Sequence, residues 1–316
     1  MKGFFLYALR RLLMLIPFLI GITAIAFLLG VLAPGDPAIA ALTLDGSMEP
    51  TQEEINAMRH SMGLDKSYWL QYITWLKGAL TGNLGISYLT HKAVLSELLK
   101  RFPVTLHLAF YSMAWVIFLG IPIGLWAAWK KDTAAELFIR ISALFFISVP
   151  SFWLAIIMML LFSEEWQLLP SSGYGMAKQM ILPSFVLGIG TACAVIRVEQ
   201  TSALLIMEKP FVLMEKAKGL PQWLIFIRHI FPNSVMPVIT MVGTFFGSLL
   251  GGSVIVEDLF SIPGLGSYVL SAIWGRDYPV IQGYVIVTGT VFVFFNYIVD
   301  LSYYVLNPQV RKEGRP

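Results

Sequence analysis

The sequence predicts an all-α polytopic membrane protein with six transmembrane helices and both termini in the cytoplasm. Three observations carry that expectation. Of 316 residues, 57% are hydrophobic and 13% charged, about half the charged share of a soluble domain, and the mean hydropathy is +0.73. Apolar runs long enough to cross roughly 30 Å of hydrocarbon recur along the chain. Lys and Arg are unevenly placed about those runs: 13 of the 22 fall in segments assigned to the cytoplasm, at positions 2, 10, 11, 130, 131, 140, 209, 216, 218, 228, 311, 312 and 315. The two short external segments carry only Lys178 and Arg276, as positive-inside placement requires.

Span one covers residues 12–33, follows Lys2, Arg10 and Arg11, and ends at Pro34-Gly35-Asp36-Pro37. It is long enough to cross and lacks a clear small-residue cleavage pattern, which favours a retained span over a signal peptide. Residues 38–101 are the one long polar insertion. Two stretches within it, 52–62 and 68–80, are weakly amphipathic. Thr51 with Glu54 three positions on has the spacing of a capping box. Tyr68, Trp69, Tyr72 and Trp75 read as core or interfacial aromatics. These features divide the chain into residues 1–101, a first span with an extracytoplasmic helical loop, and residues 102–316, the transmembrane core.

Span two runs over 105–129 and span three over 137–162. Pro122 and Pro150 interrupt them, which a bundle tolerates when neighbours satisfy the released carbonyls. Gly120 and Gly124 permit close backbone approach. Span four, 180–207, contains a polar break at Arg197, Glu199 and Gln200. An Arg in a span is costly unless paired, snorkelling or beside water, so this break is expected to face the bundle or its cytoplasmic end, with Arg197 anchoring the end of the span. Span five, 234–256, carries Gly243, Gly247, Gly251 and Gly252, which calls for close packing or a pore-facing surface. Span six covers 280–306. Between spans five and six, Glu257 and the turn-rich run Ser261-Ile262-Pro263-Gly264-Leu265-Gly266 are candidates for a structural or gating role at the pathway mouth.

Residues 208–240 are the long interruption of the second half. Glu208, Lys209, Glu215, Lys216, Lys218, Arg228 and His229 are concentrated there. Pro210 suits a first helical turn, no breaker follows until Gly219, and Gly219 suits the left-handed residue that ends a helix. Pro221 can then open a second short helix ending before Pro232. The expected product is a helix, a sharp turn and another helix, at about 208–232 on the cytoplasmic surface.

Other classes of function find little support. The net charge of +3 forms no basic stripe interleaved with aromatics, so no nucleic-acid partner is indicated. His60, His91, His107 and His229 have no ligand spacing, and no metal site is assigned. Cys193 stands alone and can form no internal disulfide. No G-x-x-x-x-G-K-[ST] phosphate loop and no catalytic constellation occurs, so the chain is not expected to be an enzyme.

The segment containing Ala217, Lys218, Gly219, Arg228, His229, Asn233, Pro237, Val238, Ile239 and Thr240 resembles the cytoplasmic coupling loop of ABC-transporter permeases of the dipeptide/oligopeptide/nickel import family. The resemblance extends in order through Leu64-Asp65-Lys66, Gly82-Asn83-Leu84-Gly85, Leu169-Pro170 through Gly173, Val256-Glu257, Pro263-Gly264-Leu265-Gly266 and Arg276-Asp277-Tyr278-Pro279. Glu215 departs from it, standing where the family usually has a small residue, as does Asn307-Pro308-Gln309 in place of Asp-Pro-Arg. The resemblance implies a type I ABC importer permease fold in the bacterial inner membrane. It implies a second homologous permease chain, two ATP-binding subunits that hold ATP and Mg, and an extracytoplasmic solute-binding protein that supplies substrate; this chain itself binds no cofactor. The length and charged short helices of residues 38–101 fit either a contact surface for that protein or a lid on the extracytoplasmic face. Phe211, Leu213, Met214, Glu215, Ala217, Lys218, Gly219 and Leu220 are then the coupling residues, while Arg197, Glu257, Pro263, Gly264 and Gly266 anchor or gate the spans. Dipeptides or oligopeptides are the expected cargo, with nickel or a metal chelate as the alternative. A secondary transporter would show an internal repeat and midplane ion ligands, neither of which is evident.

Overall fold

The computed structural model describes residues 2–32, 35–44 and 50–306. Its regular structure is helical: α1 (Lys2–Leu32), α2 (Pro37–Leu44), α3 (Gln52–Ser61), α4 (Tyr68–Leu80), α5 (Val94–Trp129), α6 (Ala134–Ser148), α7 (Ser151–Met159), α8 (Ala177–Met207), α9 (Pro210–Ala217), α10 (Gln222–Ile225), α11 (Phe231–Leu259), α12 (Leu265–Trp274) and α13 (Tyr278–Leu306). Among the described residues the extended pairing is an isolated bridge between Ile86 and Ala93. Among the described residues, five helical stretches are long and apolar enough to cross a membrane: Tyr7–Leu32, Val94–Trp129, Ala177–Met207, Gln222–Leu249 and Tyr278–Leu301.

The sixth crossing is not the single interrupted helix expected at 137–162. Ala134–Ser148 and Ser151–Glu165 meet at 103°. Pro150 has no N–H to donate, and it drives the preceding residue out of the helical region; Val149 accordingly sits at φ −77° and ψ 126°. The second arm restarts with the Leu154 N–H on the Pro150 carbonyl at 3.1 Å and ends in a π-turn at Leu160–Glu165.

The chain divides into two compact units, Met1–Val104 with Pro263–Phe294, and Thr105–Ile262 with Phe295–Pro316. In the first, Leu84, Val94 and Leu98 pack with Leu265, Tyr268, Ala272 and Val280. Asp277 fastens the loop before α5: its Oδ2 accepts from the Ser87 hydroxyl at 2.5 Å and the Leu89 N–H at 3.2 Å. Burial, helped by the charge of Asp277 and by Tyr278, pushes the Tyr88 hydroxyl up to about 12. At α3 the capping box forms as expected, with the Thr51 N–H on Glu54 Oε2 at 2.8 Å and the Thr51 hydroxyl accepting the Glu54 N–H at 3.4 Å. The Thr51 N–H, together with the Thr51 hydroxyl that donates to the same Oε2 at 2.9 Å, holds the Glu54 carboxyl below the usual range. Asp36 accepts the Arg59 Nε at 2.8 Å, tying the start of α2 to α3.

In the second unit α8 is the central element, packing on α6, α7 and α11. Small residues set its approach to α5. A Cβ at Gly188 would lie 2.6 Å from the Ser112 carbonyl oxygen, one at Gly120 2.6 Å from Val195 Cγ1, and one at Gly124 2.8 Å from both the Ile196 carbonyl and Glu199 Cβ. The glycines of α11 divide in two ways: Gly243 is pressed against Val299, whereas a Cβ at Gly251 would meet nothing within 4 Å.

Candidate functional site

The candidate site is the element between α8 and α11. Pro210 occupies the first turn of α9, where its missing N–H costs nothing. The helix stops in a Schellman arrangement, with Gly219 at φ +78°, its N–H on the Lys216 carbonyl at 3.0 Å and the Leu220 N–H on the Glu215 carbonyl at 3.3 Å. Those two bonds satisfy carbonyls that the helix end would otherwise orphan.

The second helix does not stop before Pro232. α10 passes into a π-turn at Phe226–Ile230, and that turn passes into α11. The wider i→i+5 spacing, seen in the Phe231 N–H on the Phe226 carbonyl, absorbs one residue and lets Pro232 fall in a first turn. Gln222 to Leu259 is therefore helical throughout.

The element is seated by one face. Val212, Ile225, Phe226 and Ile230 are buried with Ala128 of α5 and Ala203 of α8, and Leu220 packs partly against them. The Phe226 ring lies 4.9 Å from that of Trp129. The other face is open: Leu213 is 56% and Met214 60% exposed, and Phe211, Ala217, Lys218 and Gly219 are exposed too. Glu215 is half-buried and reaches Lys218 Nζ at 3.3 Å, so its charge is answered within its own helix. Trp223 and Ile227, also exposed, extend the open apolar face along the second arm. Their i, i+4 spacing was the available signal for them.

The polar break in α8 resolves into three roles. Arg197 is exposed. Glu199 is fully buried, and its Oε1 accepts the Ser234 hydroxyl at 2.6 Å, bridging α8 to α11. Gln200 Nε2 donates to Glu136 Oε1 at 3.1 Å, joining α8 to α6. Sequence reasoning singled out Arg197 here and missed the weight of Glu199, because a charge pattern does not say which of three neighbouring residues turns inward.

Glu257 is fully buried near the end of α11, where its Oε1 accepts the hydroxyls of Thr105 at 2.7 Å and Ser253 at 2.9 Å. Its own carbonyl accepts the Ile262 N–H at 2.8 Å. Pro263 is exposed, while Gly264, at the N-cap of α12, and Gly266 are buried. Among the described residues no group of three or more His, Cys, Asp or Glu is placed to hold a metal ion.

Long apolar helices broken by one half-seated helical element with an open apolar face define a polytopic membrane protein. Residues 120–312 match the binding-protein-dependent transport system inner membrane component family, and residues 4–109 match the N-terminal domain of the same transport-system membrane components. The dipeptide transport system permease protein of Alkalihalophilus pseudofirmus is 33% identical, over 96% of this chain and 99% of that protein. The Escherichia coli K12 protein of the same description is 32% identical, over 96% and 98%. A chain of the MetNI methionine ABC transporter in inward-facing conformations superposes with a TM-score of 0.57 at 16% identity, covering 67% of this chain and 96% of that one; that likeness shows the fold. The chain belongs to the family of binding-protein-dependent transport system inner membrane components. It is a multi-pass inner-membrane permease subunit of an ABC importer, and a transport component rather than an enzyme.

Proposed function

We infer that this permease forms half of a pathway for dipeptides or oligopeptides, completed by a second, homologous permease chain. Two ATP-binding subunits, which hold ATP and Mg, dock on the cytoplasmic element, and an extracytoplasmic solute-binding protein delivers cargo to the other side. The observation that carries the reading is the open apolar face of Phe211, Leu213 and Met214 on a helix ended by Gly219 and followed by an unbroken helical rod from Gln222 to Leu259. Closure of the ATP-binding subunits displaces α9, and the rod carries that displacement into the membrane, as alternating access requires. The dipeptide descriptions of both relatives favour peptide over nickel or a metal chelate as cargo.

The deciding experiment reconstitutes the purified complex in lipid vesicles with its solute-binding protein and follows labelled dipeptide uptake. ATP-dependent uptake of peptide, outcompeted by peptide and not by nickel, is expected. Uptake that proceeds without the ATP-binding subunits, or that carries nickel alone, overturns the reading.

Sidedness has its own test. Asp45 lies outside the described residues, but Glu54 is exposed at the start of α3. A cysteine replacing Glu54, in a background where buried Cys193 is replaced by Ala, should react with an impermeant thiol reagent once the outer barrier is opened. Reaction only after the inner membrane is broken would invert the topology.

Arg197 is assigned to anchoring the end of α8 beside the coupling element. An exposed guanidinium there is available to lipid phosphate or to a partner subunit. Arg197→Leu should lower the yield of assembled complex or the uptake obtained per ATP hydrolysed, with relative uptake of different dipeptides unchanged. An assembled variant with normal coupling and an altered cargo profile would remove Arg197 from this role.

A further inference from the structure

Helix α4 has three distinct faces. Tyr72 and Trp75 lie against α1, their rings 5.4 and 5.9 Å from that of Phe27. Gln71 and Thr74 line an open groove of mixed character that brings Asp36, Arg59 and Asp65 together with Phe27, Val31 and Trp75. The remaining arc presents Trp69, Ile73 and Leu80, with Trp69 78% and Leu80 79% exposed. At 100° per residue these three fall within about 40° of one another, so they form a single stripe along the helix.

The level of α4 follows from where it touches α1. The 26-residue stretch Tyr7–Leu32 is about 39 Å long at 1.5 Å per residue, so roughly 30 Å of hydrocarbon centred on it begins about 4–5 Å below Leu32. On that scale Phe27 lies ~3 Å and Thr23 ~9 Å inside the hydrocarbon. The Tyr72 ring rests on Phe27, and its hydroxyl pairs with the Thr23 hydroxyl at 2.9 Å. Thr23 Oγ1 already donates to the Ile20 carbonyl at 2.9 Å, so Tyr72 is the donor, and its polar tip is satisfied where water is excluded. On the same face of α1, one and two turns deeper than Thr23, Ile20 and Ile16 are exposed. Trp69, Ile73 and Leu80 thus lie beside an open apolar face of α1 at the level of the hydrocarbon edge.

We propose that α4 is an interfacial helix whose Trp69–Ile73–Leu80 stripe is covered by the acyl chains of the outer leaflet of the inner membrane. Its depth agrees with the 5–10 Å burial of such helices, and Trp and Tyr near its N-terminus suit the headgroup boundary. Lys77, exposed at the edge of the stripe, can extend its apolar stem along it and lift its ammonium to the headgroups. The inference goes beyond the transport role: it assigns this part of the extracytoplasmic loop to lipid, and leaves α3 and the charged residues of the groove facing water.

The test places nitroxide labels at Ile73→Cys and Leu80→Cys in the Cys193→Ala background. The assembled complex is held in vesicles of phosphatidylethanolamine and phosphatidylglycerol, and collision rates with oxygen and with a water-soluble nickel chelate are compared. A label at Phe18→Cys supplies the lipid standard, and one at Glu53→Cys the aqueous standard. Oxygen-to-nickel collision ratios at 73 and 80 within about two-fold of the Phe18 label, and on the order of ten-fold above the Glu53 label, are expected. Ratios like that of Glu53 would put α4 in water, and suppression of both collisions would mean that protein, such as the second permease chain, covers the stripe; either result overturns the proposal. A Phe18 label that itself reads as aqueous would instead indict the placement of α1, which separates the two failures.

Discussion

Gly219→Val should leave the permease inserted and able to receive its solute-binding protein, while uptake falls and ATP hydrolysis loses its dependence on cargo. The cause is local. Gly219 is at φ +78°, where a side chain costs roughly 1–2 kcal/mol and a β-branched one more. No atom lies within 4 Å of the Cβ position, so the penalty is backbone strain with no clash added. That strain opposes the two bonds from the Gly219 and Leu220 N–H groups that end α9. A shift of this size moves the element away from its seated form by a factor of about 5–30. Asn tolerates the left-handed region better than other side chains, so Gly219→Asn should retain most uptake. Reconstituted complexes compared for subunit retention, ATP turnover and uptake decide the matter. Equal losses in the two variants would assign the defect to chemistry at the surface, and normal coupled uptake by Gly219→Val would remove the turn from the coupling path.

The second large effect is expected at Gly188, with Gly190 as its internal control. The Cβ of any replacement at 188 would sit 2.6 Å from the backbone oxygen of Ser112, which cannot rotate aside, whereas one at 190 meets nothing within 4 Å. Gly188→Val should force α5 and α8 apart, at a cost of about 1–3 kcal/mol or more for overpacking, and lower both yield and thermal midpoint. Gly190→Ala, in the same helix, removes the entropic cost of a mid-helix glycine and should be neutral or stabilising by up to about 1 kcal/mol. Thermal unfolding of the purified complexes in one detergent measures the contrast. Equal tolerance at the two positions would mean that the α5–α8 approach is not set by Gly188.

What the sequence made legible was what chain-local chemistry decides. The capping box at Thr51 and Glu54, the stop at Gly219 and the start at Pro210 each depend on residues within a turn of one another, and each forms as its spacing implies. The spans were legible because a length of apolar residues is itself the constraint. The reading failed where proline had more than one outcome. Pro150 turns the chain by 103°, while Pro232 is absorbed by a π-turn and turns nothing; neighbouring helices choose between those results, and they are remote in sequence. Of the candidate site, Phe211, Leu213 and Met214 were reached through the family resemblance, and their exposure came only with the fold. The bridge from Glu199 to Ser234 and the clamp of Ser87 on Asp277, 190 residues apart, could not, since each depends on packing that brings distant segments together.

The Glu199–Ser234 hydrogen bond has a mechanical meaning. It closes the 35-residue interval between its two ends into a ring at its base, with α9 at the far side. Such a bond, from a buried carboxyl oxygen, contributes on the order of 1–3 kcal/mol. A pull on α9 through a ring closed in this way loads both limbs at once, so α8 and α11 shift in common and are not pried apart. On the proposed coupling role the element would act as a yoke, delivering translation and tilt of a helix pair, and a stroke that separates those two helices would first have to break the bond at its throat.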